Sequence, residues 1–266
     1  MNIEPAIALG AGRALMLQLA HPVVAQGVQD HSEFKKNPFK RLQGTLEATY
    51  AVVFGPADLA QGVGRRIQWV HDHVTGPGYR ANDPEHLLWV HATLVDTALG
   101  CYTDFVAPLS GQDAETYYRE MMVVADVFGL PLDAQPQSLA EFRDYFGDTV
   151  AGLRVSEAGR DLGRLILDPT LPLALHLPFR PLLALQRTLT VGRLPATLRD
   201  QFGFSWAPGD AARLAKVERR ARAVNRAVPH AVRAAATRTN GLYLLAPARR
   251  HVRQFQQRLA AARLQH

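Results

Sequence analysis

The chain has 266 residues, of which 47% are hydrophobic and 20% are charged, and its net charge at pH 7 is +6. This composition supplies a large hydrophobic core and excludes a long disordered tract. A single cysteine, Cys101, excludes a disulfide framework and a cysteine-rich zinc or iron–sulfur site within one chain.

Helical periodicity runs through nearly the whole sequence. Apolar residues recur at spacings of three and four, and alternating strand-like segments are missing. Pro38, Pro56 and Pro84 fall where helices begin, and Ser138 with Glu141 forms a capping box. The sequence therefore predicts an all-α fold, a single bundle of about 10–12 helices. The predicted helices are residues 5–19, 22–29, 38–54, 56–75, 84–106, 112–128, 138–153, 157–167, 179–191, 195–202, 209–227 and 246–263.

A break is predicted at residues 167–172, which contain two prolines. It divides an N-terminal bundle at 1–168 from a C-terminal helical part at 169–266. Because residues 173–185 are too apolar to stand alone in water, we expect the second part to pack on the first as one domain.

Composition also predicts where the protein works. No apolar run approaches the roughly 18 residues of a membrane-spanning helix. Residues 1–5 lack the basic start of a secretory signal. A single cysteine suits a reducing compartment. We therefore expect a soluble, cytoplasmic protein.

Basic residues concentrate near the end of the chain, between Arg213 and Arg258. No known DNA- or RNA-binding motif accompanies them, so we expect a solvated helix surface and no nucleic-acid partner. Peripheral contact with an anionic membrane stays open as an alternative role of this region.

Two histidines lie inside apolar helical patterns. His71 follows Ile67 by four residues, and His91 follows Leu87 by four, so both should face inward, whereas His73 falls off the apolar stripe. Taken alone, each is explained as a core histidine bonded to a carbonyl. Burial also keeps an imidazole neutral and able to ligate a metal or accept a proton. Both interpretations stay open.

Other polar residues could complete a site. Arg41 and Thr45 lie one helical turn apart, so a guanidinium and a hydroxyl point the same way and could hold a carboxylate such as a propionate. The alternative for Arg41 is an ion pair with a nearby acid. His21, and His31 with Ser32, could line a pocket mouth or serve in turns and caps.

Several chemistries are excluded by absent motifs. Glu-x-x-His of di-iron bundles, His-Glu-x-x-His, Gly-x-Ser-x-Gly and the P-loop do not occur. Gly10 and Gly12 lie in a helical pattern with no preceding strand, which excludes a dinucleotide fingerprint. Cys101 lies within a predicted helix and is interpreted as a core residue.

Six short motifs follow one another in order. They are Gly12-Arg13-Ala14-Leu15 leading to Ala20-His21-Pro22, Asp30-His31-Ser32-Glu33-Phe34, Arg41 to Thr45 leading to Val53-Phe54-Gly55, Val70-His71, Asp83-Pro84 leading to Trp89-Val90-His91-Ala92-Thr93-Leu94, and Leu194 to Arg199. Together they resemble the MpaB-type oxygenase and rubber oxygenase (latex-clearing protein) family of helical b-haem proteins, over most of residues 10–205.

The resemblance implies haem b as the cofactor, with O2 and a small apolar, isoprenoid-like substrate as partners. It implies His71 as the axial iron ligand and Arg41 with Thr45 as residues that retain haem. His91 would line the haem pocket or act as the rival axial ligand, and His91 and Arg41 are the candidate catalytic residues.

Two positions depart from the rubber enzymes, because Gly44 stands where they carry a lysine and Ala25 where they use a glutamate base. Both departures point away from polyisoprene cleavage. The leading hypothesis is a haem-dependent oxygenase. The alternative is a non-catalytic helical module that binds a lipid or a partner, and a third hypothesis, DNA-binding regulation, depends only on the arginine content.

Overall fold

The structure, a computed structural model, describes residues 1, 4–31, 38–168 and 173–263. Within these ranges the chain forms twelve α-helices and one short hairpin. The prediction of an all-α fold is confirmed. The helices are α1 Ala11–Ala20, α2 Pro22–His31, α3 Pro38–Phe54, α4 Ala57–Asp72, α5 Pro84–Phe105, α6 Gly111–Val127, α7 Leu139–Gly152, α8 Glu157–Leu167, α9 Leu173–Gly192, α10 Ala196–Gln201, α11 Pro208–Ala227 and α12 His230–Arg263; the strands are β1 Thr75–Gly76 and β2 Tyr79–Arg80.

Helix starts follow the capping signals of the sequence. Pro84 lies in the first turn of α5, and the Ser138 side chain accepts a backbone hydrogen bond at the start of α7, both as predicted. Ser110 and Ser156 cap α6 and α8 in the same way. Each serine oxygen satisfies an N–H that the helix itself leaves without an acceptor. Pro56 differs from the prediction, because it precedes α4 as its N-cap.

Two predicted helices in the first 80 residues are shorter than expected. The segment predicted as 5–19 begins as a 3₁₀ helix, Pro5–Gly10, and continues as α1. Helix α4 ends at Asp72, and the β1–β2 hairpin follows with Thr75 paired to Arg80. Gly78 in its turn has φ of +81°, a backbone conformation that favours glycine.

Two C-terminal helices begin earlier than predicted, at residue 173 for α9 and at residue 230 for α12. The sequence interpretation placed a helix start just before Pro247, which instead lies inside α12. A proline there frees the carbonyl of Tyr243, four residues earlier. Tyr243 is 78% exposed, so water can hydrate that carbonyl and the helix continues.

Helix α1 lies in the protein core and positions α5. Met16 and Leu17 are fully buried, and α1 packs against α2, α5, α8 and α9. Trp89 on α5 is also buried, and its indole N–H donates to the Leu17 carbonyl at 3.1 Å. This bond fixes the segment of α5 that carries His91 against the core.

A close helix contact sets the distance between α4 and α6. A Cβ atom placed on Gly64 would lie 2.1 Å from the Val127 carbonyl oxygen, so only glycine allows this approach. Gln68, one turn later on α4, donates to the same carbonyl at 3.2 Å.

Charged side chains, of which the arginines are the most buried, join α1, α5, α9 and α11, and we call them the Arg13–Arg193 network. Arg13 lies 2.7 Å from Asp96, and its Nε donates to the Arg193 carbonyl at 2.8 Å. The Arg193 side chain is 9% exposed and lies 2.7 Å from Asp104 and 2.8 Å from Glu218. The network links helices from both ends of the chain.

The C-terminal helices pack on the N-terminal ones. Helix α9 contacts α1, α11 contacts α5, and α12 contacts α3 and α4. Residues 169–172 of the predicted break lie outside the described residues. The division into 1–168 and 169–266 stays a prediction.

No single helix in the described ranges is long and apolar enough to cross a membrane. The consecutive segments Pro5–Ala20 and Pro22–His31 reach that length and composition only when taken together, and the chain bends by 100° between them.

Candidate functional site

A cavity of about 690 Å³ lies among α2, α3, α4, α5 and α6, with the β1–β2 hairpin at its edge; we call it the α2–α6 cavity. Its wall is largely aliphatic and aromatic, and Val28, Ile67, Leu94 and Val124 come from four different helices. Such a lining excludes water and favours apolar ligands. The cavity is the candidate site.

The structure brings both sequence-predicted histidines to this cavity. His71 lines it from the last turn of α4, where its side chain is half-buried. His91 lines it from α5. His73 is exposed, outside the lining, and its Nδ1 lies 2.7 Å from the Trp69 carbonyl. The periodicity argument therefore separated His71 and His73 correctly.

His91 has the environment expected of a neutral imidazole. The residue is 8% exposed, and burial lowers its pKa to about 4. Its Nε2 is buried and has no hydrogen-bond partner in the described part of the chain. A buried polar atom without a partner costs free energy, which a bound ligand can recover.

The structure places the other predicted residues in different ways. Thr45 and Gly44 line the cavity from α3. Arg41 lies on the same helix, but its side chain is outside the described part. Ala25 is fully buried outside the lining and faces α8, where a Cβ on Gly159 would lie 3.6 Å from it. The position of the rubber-enzyme glutamate is therefore a packing position here.

Two arginines that the sequence interpretation missed give the lining its charge. Arg66 on α4 and Arg80 on β2 line the cavity, and no Asp or Glu occurs among its described lining residues. Neither guanidinium forms an ion pair within the described ranges. Arg66 shares its face of α4 with Val70, four residues later, but the sequence alone does not show that this face borders a cavity. The charge favours a ligand that carries carboxylates.

The hairpin is fastened to the end of α2 beside the cavity. Tyr79 lines the cavity, and its hydroxyl donates to Asp30 at 2.9 Å. His31, which also lines the cavity, lies with its Nε2 2.9 Å from the Thr75 carbonyl, and its ring contacts Tyr79 edge to face. Burial, together with Asp30, raises the pKa of Tyr79. No helical pattern could have revealed Tyr79, because it lies in the hairpin.

A second pair of histidines lies at the α1–α5 junction. His86 lines the cavity, whereas His21 does not and contacts the His86 ring at 5.5 Å. Burial and then His86 lower the pKa of His21. His21 therefore lies behind the cavity wall rather than at its mouth. Ser32, the remaining candidate, lies outside the described residues.

The residues present fit a haem. The cavity volume falls within the roughly 300–1,000 Å³ of cofactor sites. Arg66 and Arg80 complement carboxylate groups, and His71 and His91 line the cavity together with His31 and His86. No cluster of three or more His, Cys, Asp or Glu side chains in the described ranges could chelate a bare metal ion. Haem iron requires only one protein ligand, and Cys101 is buried away from the lining.

Comparisons with known proteins identify a family whose catalytic domain includes this site. The family model "ER-bound oxygenase mpaB/B'/Rubber oxygenase, catalytic domain" matches residues 2–227, which include the whole cavity lining. Uncharacterized protein Mb2261 of Mycobacterium bovis and uncharacterized protein Rv2237 of Mycobacterium tuberculosis are each 24% identical to the chain over 232 residues, covering 81% of this chain and 88% of the relative. No solved structure gives a significant match.

Proposed function

Because the chain belongs to the mpaB and rubber oxygenase catalytic-domain family, we propose that it is a haem b-dependent oxygenase that acts on a small apolar substrate with O2. The observation that carries the proposal is the meeting of His71 and His91 at one apolar cavity, where the buried Nε2 of His91 has no partner in the described part of the chain. Separate helices contribute the two rings, so local sequence periodicity alone does not account for their meeting.

In this proposal His71 would bind the haem iron. The assignment follows the position of His71 in the family pattern and its place on the cavity wall. His91 forms the adjacent wall and is the rival ligand. Its low pKa keeps the ring neutral at pH 7, so Nε2 can either ligate iron or hydrogen bond to a bound molecule.

Four polar side chains are proposed to hold the carboxylates of haem. Thr45, Arg66 and Arg80 line the cavity, and Arg41 lies on the helix that carries Thr45. Guanidinium groups bind carboxylates through paired hydrogen bonds, which are stronger than neutral ones.

The apolar wall determines which substrate enters. When bound, haem supplies the activation of O2 that an oxygenase needs. Val24, Val90, Leu94 and Val124 line the cavity and would exclude water from that chemistry. They favour an aliphatic, isoprenoid-like molecule. We propose a substrate other than polyisoprene, because Gly44 and Ala25 replace the lysine and glutamate expected from the rubber enzymes.

The experiment compares haem retention in three histidine variants of the full chain, expressed with a haem supply. His71→Ala should abolish the Soret band, whereas His91→Ala should retain haem with a shifted band. His73→Ala is the matched control, because His73 is exposed and outside the lining. It should match the unmodified protein.

Two results would change the conclusion. Haem retained by His71→Ala and lost by His91→Ala would transfer the ligand role to His91. A colourless but folded unmodified protein would contradict the oxygenase proposal and favour the non-catalytic lipid-binding module.

A further inference from the structure

Helix α12 buries one face between Ala234 and Val252, and the described part of the chain leaves its other face uncovered. A Cβ on Gly241 would lie 3.3 Å from the Tyr50 ring of α3, and Val252 packs on Gly62 of α4. His251 lies 2.6 Å from the buried Glu47 of α3. These contacts fix which side of α12 faces the protein.

The uncovered face of α12 is mainly apolar in its first half, where the exposed Arg238 and Thr239 interrupt it. Val232, Leu242 and Tyr243 are 55%, 68% and 78% exposed, and they rank among the most exposed large hydrophobic residues described. Small residues Ala235, Ala236 and Ala246 are exposed between and after them. At 1.5 Å per residue, the stretch from 232 to 246 runs roughly 21 Å along the helix.

Arginines continue the same face in the second half. Val232, Tyr243 and Arg250 lie 11 and 7 residues apart, which places them on one side of a helix. Arg249 and Arg253 flank Arg250, and all three are exposed with no ion pair in the described part of the chain. Residues 230–263 contain no Asp or Glu.

We propose that this face of α12 docks, parallel to the membrane plane, on a phospholipid surface rich in anionic headgroups. The apolar half would enter the boundary between headgroups and acyl chains, and the arginines would bind phosphates. An exposed Tyr beside aliphatic residues suits that boundary. A nucleic acid would leave the apolar half uncovered, and a second copy of the chain would bring arginine clusters of the same sign together. The proposal does not depend on haem binding.

The experiment is flotation of the full chain with vesicles of phosphatidylcholine alone or with about 30% phosphatidylglycerol, at about 0.1 M salt. We expect binding to the anionic vesicles only. The double change Leu242→Ser and Tyr243→Ser should lower the partition coefficient roughly tenfold or more, because it removes exposed apolar area. The double change Arg249→Glu and Arg250→Glu should do the same through charge.

Matched controls lie elsewhere on the surface. Val123→Ser with Leu132→Ser removes residues that are 57% and 46% exposed outside α12, and it should leave binding unchanged. Arg65→Glu with Arg143→Glu, two exposed arginines of α4 and α7, controls for net charge. Circular dichroism verifies that each variant is folded.

A fluorescence measurement tests the depth of insertion. Tyr243→Trp should shift its emission to the blue in anionic vesicles and be quenched by bromine-labelled acyl chains. The proposal would be overturned if the chain failed to bind anionic vesicles, or if the Leu242→Ser and Tyr243→Ser change did not weaken that binding. It would also be overturned if the chain bound duplex DNA more tightly, or if it formed a dimer that this double change abolished.

Discussion

Helix α5 carries two sets of polar residues that differ in burial and in whether they have partners. In the Arg13–Arg193 network, Asp96 and Asp104 of α5 each lie 2.7 Å from an arginine. At the α2–α6 cavity, the His91 Nε2 of the same helix has no partner in the described ranges. Paired groups of the first kind hold helices together. A buried group without a partner costs free energy, which a ligand bound in the cavity can recover.

The largest effect should come from removing a paired charge of the network. Arg193→Met removes a largely buried guanidinium that pairs with Asp104 and Glu218 and lies 4.8 Å from the centre of the Phe105 ring, and we expect the free energy of unfolding to fall by about 3 kcal/mol. Urea denaturation measures the loss. Arg164→Met is the control, because it breaks an exposed pair with Asp161 and should cost about 0.5 kcal/mol or less. Equal losses of unfolding free energy in both variants would mean that the Arg13–Arg193 network contributes no more than an exposed ion pair.

The second prediction concerns the pH dependence of stability in the haem-free protein. The pKa of His91 is about 4 in the fold and 6.5 in an unfolded chain, so the unfolded chain takes up the proton first as the pH falls. Stability should therefore decrease between pH 6.5 and pH 4, by about 3 kcal/mol in total from this residue. Urea denaturation at a series of pH values measures the decrease.

His91→Leu should remove most of that decrease. At pH 7.5 the variant should be as stable as the unmodified protein or more stable by about 1 kcal/mol, because the buried nitrogen without a partner is gone. The slope that remains comes in part from His21, whose pKa is also lowered. His73→Leu, at an exposed position, should keep the full decrease. A His91→Leu variant that is strongly destabilised at pH 7.5 would mean that His91 is a structural residue.

The sequence predicted most helices, and also His71 and His91 as inward-facing residues, because local periodicity determines both. His71 and His91 each lie on an apolar helical stripe, and the structure brings both stripes to one cavity. The start of α12 was wrong, because a proline within a helix resembles one at a helix start. Only the exposure of Tyr243 shows why the helix continues through Pro247.

The remaining cavity residues could not be predicted, because they depend on tertiary packing. Arg66 lies off the apolar stripe of α4 that contains His71, so periodicity alone favours an outward side chain. The first half of α4 instead packs on α3 and α12, and its second half borders the cavity, which brings Arg66 into the wall. Tyr79 reaches the cavity only because the hairpin is fastened to Asp30.

Replacing Arg66 should have the smallest effect on the free energy of unfolding but should change the rate of haem release. In the haem-loaded protein, Arg66→Met should speed haem transfer to apomyoglobin about tenfold, because a charge-assisted hydrogen bond contributes about 1.5–3 kcal/mol. Its free energy of unfolding without haem should change by about 0.5 kcal/mol or less, because no ion pair in the described ranges is lost. Arg65→Met, the exposed neighbour, should change neither quantity.

The chemistry of the ligand can be separated from that of the fold with haem dimethyl ester, which has no free carboxylates. Because Arg66 is proposed to bind those carboxylates, Arg66→Met and the unmodified protein should release the ester at the same rate. A difference that persists with the ester would mean that Arg66 shapes the cavity instead of binding the ligand charge. In that case His91 alone would remain as a polar group of the cavity whose missing partner is supplied by the ligand.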